Sequence, residues 1–226
     1  MTTALVTGGN KGIGLEIVKQ LVAEGIDVYL GARDVERGEK AAADTGARFV
    51  QLDVTDPESV RRAAESIDQL DVLVNNAGII GGPGQAPGSV DLDAVRRAFE
   101  TNVFGVITVT DAFLPLLRRS AHPRIVNVSS SVGSLSRMLG DETPIGLGYP
   151  PSKSAVNAIT LQYAKALRDT PFKINAVCPG YCDTDLNNHN GHRPPAQGAR
   201  IAVAMATLGD DGPTAGFYDD DGAVAW

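Results

Sequence analysis

The chain has 226 residues, of which 43% are hydrophobic and 21% charged, with a formal net charge of −7. This length suits one α/β domain with a sizeable core, and an acidic balance without any Lys/Arg-rich run argues against nucleic acid and anionic membranes as partners. No apolar stretch approaches the roughly 18 residues needed to span a bilayer, and the N-terminus lacks the pattern of a signal peptide, so a cytoplasmic protein is expected.

Short apolar runs alternate with helical patterns through the first half of the chain. Strands are predicted over 3–7, 28–32, 47–52 and 71–77. The apolar residues Ile13, Ile17, Leu21 and Val22 predict a helix after the first strand, and Gly25 ends it. Asp56-Pro57 predicts another helix start, because aspartate is a good N-cap and proline suits the first helical position.

The second half continues the alternation. It predicts a long helical region from about Asp91 through Leu117, a strand over 124–130, a helix over 150–168 and a strand over 173–179. The strands are continuous apolar runs, typical of strands buried on both faces of a parallel sheet. The sequence therefore predicts a single domain over 1–226 with a doubly wound, Rossmann-type parallel α/β sheet and helices on both faces.

The metal-ligating residue types form no recognisable metal site. Cys178 and Cys182 have a C-x₃-C spacing that fits neither a redox pair nor half of a zinc site, so two reduced thiols are expected. His189 and His192 lie three apart in "NNHNGH", without a third ligand in a known pattern, and the surrounding asparagines and glycine indicate a loop. No metal is expected.

A glycine-rich turn, "TGGNKGIG" over 7–14, follows the first predicted strand and precedes a helix. Glycines there allow a tight turn and close approach of a pyrophosphate, which the N–H groups and dipole of the helix N-terminus attract. The position at the first strand-to-helix junction predicts a dinucleotide site, whose candidate residues in this turn are Gly8, Asn10, Lys11, Gly12, Ile13 and Gly14.

The end of the second strand bears on which dinucleotide binds. An NAD site usually has an acidic residue there for the ribose 2′-hydroxyl, whereas this chain has Ala32 followed by Arg33. An arginine fork suits a 2′-phosphate, and Lys11 could add a second positive charge. Arg33 could instead be a solvated surface residue, and Asp34 could pair with it or bind a 2′-hydroxyl itself. We favour NADPH/NADP⁺ over NAD.

Tyr149 and Lys153 lie four residues apart in "YPPSK", so that they share one helix face. The first N–H groups of a helix have no partner within it, so Pro150 and Pro151 are tolerated there. Each proline also disfavours the α conformation in the residue before it. The helix is therefore expected to begin at Tyr149, with its backbone constrained.

Motifs along nearly the whole chain resemble those of the short-chain dehydrogenase/reductase family, most of all its carbonyl-reductase-type members. In order they are "TGGNKGIG" (7–14), "LDVTD" (52–56), "NNAG" (75–78), "TNVFG" (101–105), "IVNVSSSVG" (125–133), "YPPSK" (149–153) and "CPGYCDT" (178–184). The resemblance implies a hydride transfer between a nicotinamide cofactor and a carbonyl or alcohol. It makes Tyr149 the proton donor and gives Lys153 two tasks: lowering the pKa of the phenol and binding the nicotinamide ribose.

The catalytic serine of the family, which steadies the substrate carbonyl, maps to Ser130. The 19-residue separation from Ser130 to Tyr149 is longer than usual in the family. Ser136 would restore the shorter separation, but no predicted strand holds it. We interpret 134–148 as carrying an insertion, a flap beside the substrate.

The resemblance assigns roles to the remaining site residues. Asn102 would link the lysine to solvent through a water, and Asp53 with Val54 would contact the adenine. Asn76, Ala77 and Gly78 map to the turn beside the adenosine ribose. The nicotinamide would lie against Pro179, Gly180 and Thr184, and 185–200 would form the substrate lid.

The function expected from the sequence is NADPH-dependent reduction of a small ketone or aldehyde, or the reverse alcohol oxidation. One alternative is a non-catalytic NADP-binding regulator or sensor, and another is a nucleotide-sugar epimerase or dehydratase. The oligomeric state stays open between a homodimer, a homotetramer and a monomer.

Overall fold

A computed structural model of the chain describes residues 2–83, 85–140 and 145–226. Its strands form one eight-stranded sheet in the order β3-β2-β1-β4-β5-β6-β7-β8. The strands are β1 (Thr3–Thr7), β2 (Asp27–Ala32), β3 (Arg48–Gln51), β4 (Val72–Asn75), β5 (Arg124–Val128), β6 (Lys173–Val177), β7 (Phe217–Asp219) and β8 (Gly222–Ala223). Pairing is parallel throughout, except that β8 runs antiparallel to β7. The predicted doubly wound parallel sheet is confirmed.

The α-helices are α1 (Gly12–Ala23), α2 (Val35–Thr45), α3 (Pro57–Glu65), α4 (Leu92–Phe99), α5 (Gly105–Leu117), α6 (Tyr149–Ala166) and α7 (Pro195–Ala206). A π-helical turn over Glu100–Phe104 joins α4 to α5, so the predicted long helix is interrupted. Within the described ranges, no helix is both long enough and apolar enough to cross a membrane.

The two largest hydrophobic cores among the described residues lie on opposite faces of the sheet, because side chains alternate along the strands. In β1, Ala4 and Val6 face a cluster formed with α1, α2 and α7. Leu5 points the opposite way, into a cluster with α3, α5 and α6. Both faces of the sheet are therefore covered, as the continuous apolar runs predicted.

Four elements differ from the sequence prediction. The helix α2 was not predicted, because its buried face carries only small residues, Gly38, Ala41 and Ala42, in a polar sequence. The strands β7 and β8 were also not predicted, being only three and two residues long. The loop expected over 185–200 is wrong from residue 195 onward, since α7 begins there and packs its Ala199, Ala202 and Val203 into the core.

Candidate active site

The candidate site lies at the carboxyl edge of the sheet, where the strand order reverses between β1 and β4. Ligands of open α/β sheets bind in the crevice outside such a reversal. The glycine-rich turn follows β1, and the "NNAG" turn begins at the end of β4. Ser130 follows β5, and Pro179 follows β6. The topology thus brings segments from most of the chain to one edge.

The glycine-rich turn is closed by contacts that only glycine permits. A Cβ atom on Gly14 would lie 2.3 Å from the Gly8 carbonyl oxygen and 2.4 Å from the Asn76 side-chain nitrogen. The helix α1 then begins at Gly12, and no side chain caps its N-terminus. The free N–H groups and the dipole of this helix end suit an anionic pyrophosphate, so the turn fits the predicted dinucleotide.

Hydrogen bonds tie the ends of β1 and β4 together beneath the crevice. The Asn76 amide donates to the carbonyl oxygens of Thr7 at 2.9 Å and Gly8 at 3.2 Å. The Thr7 hydroxyl accepts from the backbone N–H groups of Asn76 and Ala77, both at 3.0 Å. Asn76 therefore fixes the glycine-rich turn through its side chain, while its own backbone is held by Thr7.

The structure separates Arg33 from its acidic neighbour. The Asp34 carboxylate caps α2 by accepting from the Arg37 backbone N–H at 3.0 Å, and it lies 3.7 Å from the Arg37 guanidinium. Arg33 is exposed beside the buried Ala32, and it forms no ion pair with the residues that the structure describes. The Asp34 carboxylate thus interacts with α2 rather than with Arg33. The Arg33 side chain faces solvent at the end of β2.

The two residues predicted to contact adenine, Asp53 and Val54, are fixed by neighbouring residues and by the core. Asp53 accepts from the Thr55 backbone N–H at 2.9 Å and from its hydroxyl at 2.7 Å. Val54 is 8% exposed and belongs to the core that includes α3 and α5. Adenine contacts from this turn would therefore come from the half-buried Asp53 and from the backbone.

The segment after β6 approaches the glycine-rich turn. Thr184 is 8% exposed, and its methyl carbon lies 3.4 Å from where a Gly12 Cβ would stand. Pro179 accepts a hydrogen bond from the Cys182 thiol at 3.3 Å, and Gly180 has a left-handed backbone. Both cysteines are free, as expected. Of the predicted nicotinamide-side residues, Thr184 therefore lies beside the start of α1.

An ion pair links the two sides of the crevice. The Lys11 ammonium lies 2.8 Å from the Asp185 carboxylate. Asp185 also meets His189 at 3.0 Å, and the other ring nitrogen of His189 lies 2.7 Å from Asp183. The hydrogen bonds to Asp183 and Asp185 raise the pKa of His189, while the one from Lys11 lowers the pKa of Asp185. His189 is thus paired with carboxylates, and His192 instead lies against the Tyr181 ring.

Tyr149 and Lys153 face each other on the first turn of α6. Lys153 is 4% exposed, and its ammonium donates to the Val128 carbonyl at 2.8 Å and lies 5.6 Å from the centre of the Tyr149 ring. Burial lowers the pKa of Lys153 to about 8. The pKa of Tyr149 is raised to about 12, chiefly by burial. Burial thus raises the phenol pKa, and Lys153 is not among the groups that shift it, so the lowering expected from the lysine is not seen.

The geometry distinguishes the candidate serines. A hydrogen bond from the Ser130 side chain acts on the Tyr149 phenol and partly opposes the rise in its pKa. The Ser136 hydroxyl lies 2.9 Å from that of Ser134, which also donates to the Ala225 carbonyl at 2.7 Å. Ser130 is thus the serine brought to the tyrosine. The proposed insertion over 134–148 is described except for 141–144, which lie outside the described residues.

Asn102 occupies the π-helical turn and is fully buried. Its amide accepts from the Ile79 N–H at 2.8 Å and donates to the Ile79 carbonyl and the Ser152 hydroxyl, both at 2.9 Å. Asn102 and Lys153 each lie 3.4 Å from the position of a Gly78 Cβ. Asn102 therefore holds the backbone after β4 while lying close to the lysine.

Two residues of the site were missed by the sequence analysis. Ser152 donates from its hydroxyl to the Tyr149 carbonyl at 2.7 Å, and its place between Tyr149 and Lys153 was the signal available. Cys178 is buried, and its sulfur accepts from the Ser131 N–H at 3.1 Å. No spacing in the sequence pointed to that contact, because it joins two different strand ends.

Comparison with known proteins agrees with this geometry. The family described as short chain dehydrogenase matches residues 2–194. Salutaridine reductase of Papaver bracteatum is 35% identical, over 97% of this chain and 94% of its own length. Carbonyl reductase (NADPH) 1 of Rattus norvegicus is 32% identical, over 99% of this chain and 98% of its own. The solved NADPH-bound carbonyl reductase from chicken fatty liver superposes with a TM-score of 0.88 at 26% identity, covering 100% of this chain and 99% of that one.

We expect Asp185→Asn to strengthen binding of the nicotinamide dinucleotide, because asparagine competes less strongly than aspartate with the cofactor phosphates for the Lys11 ammonium. Because an exposed ion pair is weak, the Kd should fall by only about two- to fivefold. Fluorescence titration measures the change. Glu16→Gln, which similarly weakens the pair of Lys19 on the outer surface of α1, is the matched control and should leave the Kd unchanged. A gain that persists in a Lys11→Met background would contradict the role of Lys11.

Proposed function

Because this chain belongs to the short-chain dehydrogenase family, we propose that it is an NADPH-dependent reductase of a ketone or aldehyde, able to run in reverse as an alcohol oxidation. The observation that carries the proposal is the meeting of Ser130, Tyr149 and Lys153 at the edge of the dinucleotide crevice. A regulator that only binds NADP would have no need of this set.

The described residues fit a bound NADPH, which supplies the hydride. The pyrophosphate would lie on the uncapped start of α1, and Arg33 with Lys11 would hold the 2′-phosphate through charge-assisted hydrogen bonds. Asn76, Ala77 and Gly78 would line the adenosine ribose, and Pro179, Gly180 and Thr184 the nicotinamide. Lys153 would also bind the nicotinamide ribose.

The protonation states favour the reductive direction. A Tyr149 pKa of about 12 keeps the phenol protonated at neutral pH, which is the form that donates a proton to the developing alkoxide. Alcohol oxidation would need the phenolate, which burial disfavours. With a pKa of about 8, Lys153 is still mostly cationic at neutral pH and stabilises the phenolate as it forms.

Two further residues would assist the transfer. The Ser130 hydroxyl, already directed at the phenol, would donate to the substrate oxygen and stabilise its growing negative charge. Asn102 lies beside Gly78 together with Lys153, a placement that suits the proposed relay of protons from solvent to the lysine.

The proposed substrate is a small molecule with an apolar body. Leu135, Leu139 and Ile145, in the segment that precedes α6, are 68%, 99% and 81% exposed. Contiguous apolar patches mark ligand-binding surfaces, and we propose that these three side chains contribute to one beside the substrate. Similar proteins are named for the reduction of carbonyl compounds, among them salutaridine and carbonyl reductases, and the segment 185–194 would cover such a substrate.

Tyr149→Phe tests the proton donor. Turnover of a panel of ketones and aldehydes, followed by nicotinamide absorbance, should fall by about 10²- to 10⁴-fold, while the Kd for NADPH stays unchanged. Tyr163→Phe is the matched control, because that phenol lies on the same helix but is bonded to Asp111 at 2.6 Å. If Tyr149→Phe keeps most of its rate, the assignment is wrong.

Arg33→Ala tests the choice of cofactor. Loss of a charge-assisted hydrogen bond of about 1.5–3 kcal/mol should raise the KM for NADPH by about ten- to a hundredfold and leave the KM for NADH almost unchanged. Arg37→Ala removes the neighbouring guanidinium that serves Asp34 and should change neither KM. Equal effects of Arg33→Ala on the two cofactors would rule out the 2′-phosphate role.

A further inference from the structure

The start of α6 has an unusual set of unpaired backbone donors. The first four N–H groups of a helix find no partner inside it. In α6 these positions belong to Gly148, Tyr149, Pro150 and Pro151, and the prolines carry no N–H at all. The first bond of the helix runs from the Ser152 N–H to the Gly148 carbonyl at 3.0 Å. Only two donors remain to be satisfied, and one of them belongs to Tyr149.

A single residue from a distant segment satisfies both donors. The side-chain oxygen of Gln85, in the loop between β4 and α4, accepts from the Gly148 N–H at 3.1 Å and from the Tyr149 N–H at 3.0 Å. A Cβ atom on Gly148 would lie 2.5 Å from this oxygen, so a larger residue there would displace the Gln85 amide. Gln85 thus provides the N-cap that the local sequence lacks.

The rest of Gln85 is anchored in its own loop. Its side-chain nitrogen donates to the Ile80 carbonyl at 2.6 Å and to the Gly82 carbonyl at 2.9 Å. Its backbone carbonyl accepts from the Leu147 N–H at 2.9 Å. Because both side-chain donors and the oxygen are engaged, the orientation of the amide is fixed.

A second brace reaches Tyr149 from the other side. Ser152 donates to the Tyr149 carbonyl and accepts from Asn102, which binds both backbone groups of Ile79. The loop that starts at Ile79 therefore meets the Tyr149 N–H through Gln85 and its carbonyl through Ser152. Helix ends fray, and the phenol stands on the first residue of this helix.

We propose that Gln85 is a positioning residue for the reaction, which holds the backbone of Tyr149 so that the phenol is aligned with the substrate oxygen. This inference rests on the proposed function. Gln85 contacts no reacting atom in this role and acts only through the tyrosine.

The test compares Gln85→Leu and Gln85→Glu with the wild type. Leucine removes the acceptor, so kcat should fall roughly 10- to 100-fold, the cost expected when a reacting group is displaced by about an ångström. The KM and the Kd for NADPH should stay unchanged, because the cofactor contacts lie elsewhere. Glutamate keeps the acceptor for both N–H groups but cannot donate to the Ile80 and Gly82 carbonyls, so it should restore kcat in part. Hydrogen exchange at Gly148 and Tyr149 should be fast with leucine and slow with glutamate.

Gln69→Leu is the matched control, because the Gln69 side chain donates to Asp71 at the opposite edge of the sheet, and its kcat should equal that of the wild type. A wild-type kcat in Gln85→Leu, or a loss in Gln85→Glu as large as in Gln85→Leu, would overturn the proposal. If Gln85→Leu fails to fold, the test rests on Gln85→Glu, whose kcat and amide exchange are then compared with those of the wild type. Absence of carbonyl reduction in the wild type, or full turnover in Tyr149→Phe, would instead refute the proposed function.

Discussion

The buried ammonium group of Lys153 is the constraint on which the rest of the site depends. A charge taken out of water is costly unless it is hydrogen-bonded, and here it is satisfied by the Val128 carbonyl at the end of β5, 2.8 Å away. That contact places the first turn of α6 against the strand end. Because Tyr149 lies one turn earlier on the same face, the phenol is carried to the crevice, where Ser130 reaches it.

Buried polar side chains hold α6 and the sheet in the arrangement that this contact needs. The Asn75 amide donates to Asn127 at 2.9 Å and to Thr110 at 3.0 Å, and Asn127 donates to Thr160 at 2.9 Å. These four residues join β4, β5, α5 and α6, and none is more than 4% exposed. A satisfied buried network has few alternative arrangements, so it fixes how far α6 can slide along β5 and thus where Tyr149 and Lys153 stand.

Sequence reasoning succeeded where the signal was local or periodic. Strand patterns gave the parallel sheet, and the two prolines correctly placed Tyr149 at the first residue of α6. It failed for α2, whose buried face carries only small residues that periodicity does not register, and for α7, which begins inside the segment that the family resemblance marks as a lid. Sequence reasoning also could not predict contacts between segments that are far apart in the chain. Gln85 reaches Tyr149 across 64 residues, and Asp185 reaches Lys11 across 174. The raised pKa of Tyr149 depends on burial, which spacing alone does not define.

The central claim is that burial keeps the Tyr149 phenol protonated, ready to give its proton, while Lys153 stands beside it. Ultraviolet difference titration of the ligand-free protein against Tyr149→Phe isolates the ionisation of this one phenol from that of the other tyrosines. The account predicts little phenolate from Tyr149 until the pH approaches its pKa of about 12. A midpoint at or below the ordinary tyrosine value of about 10 would contradict it.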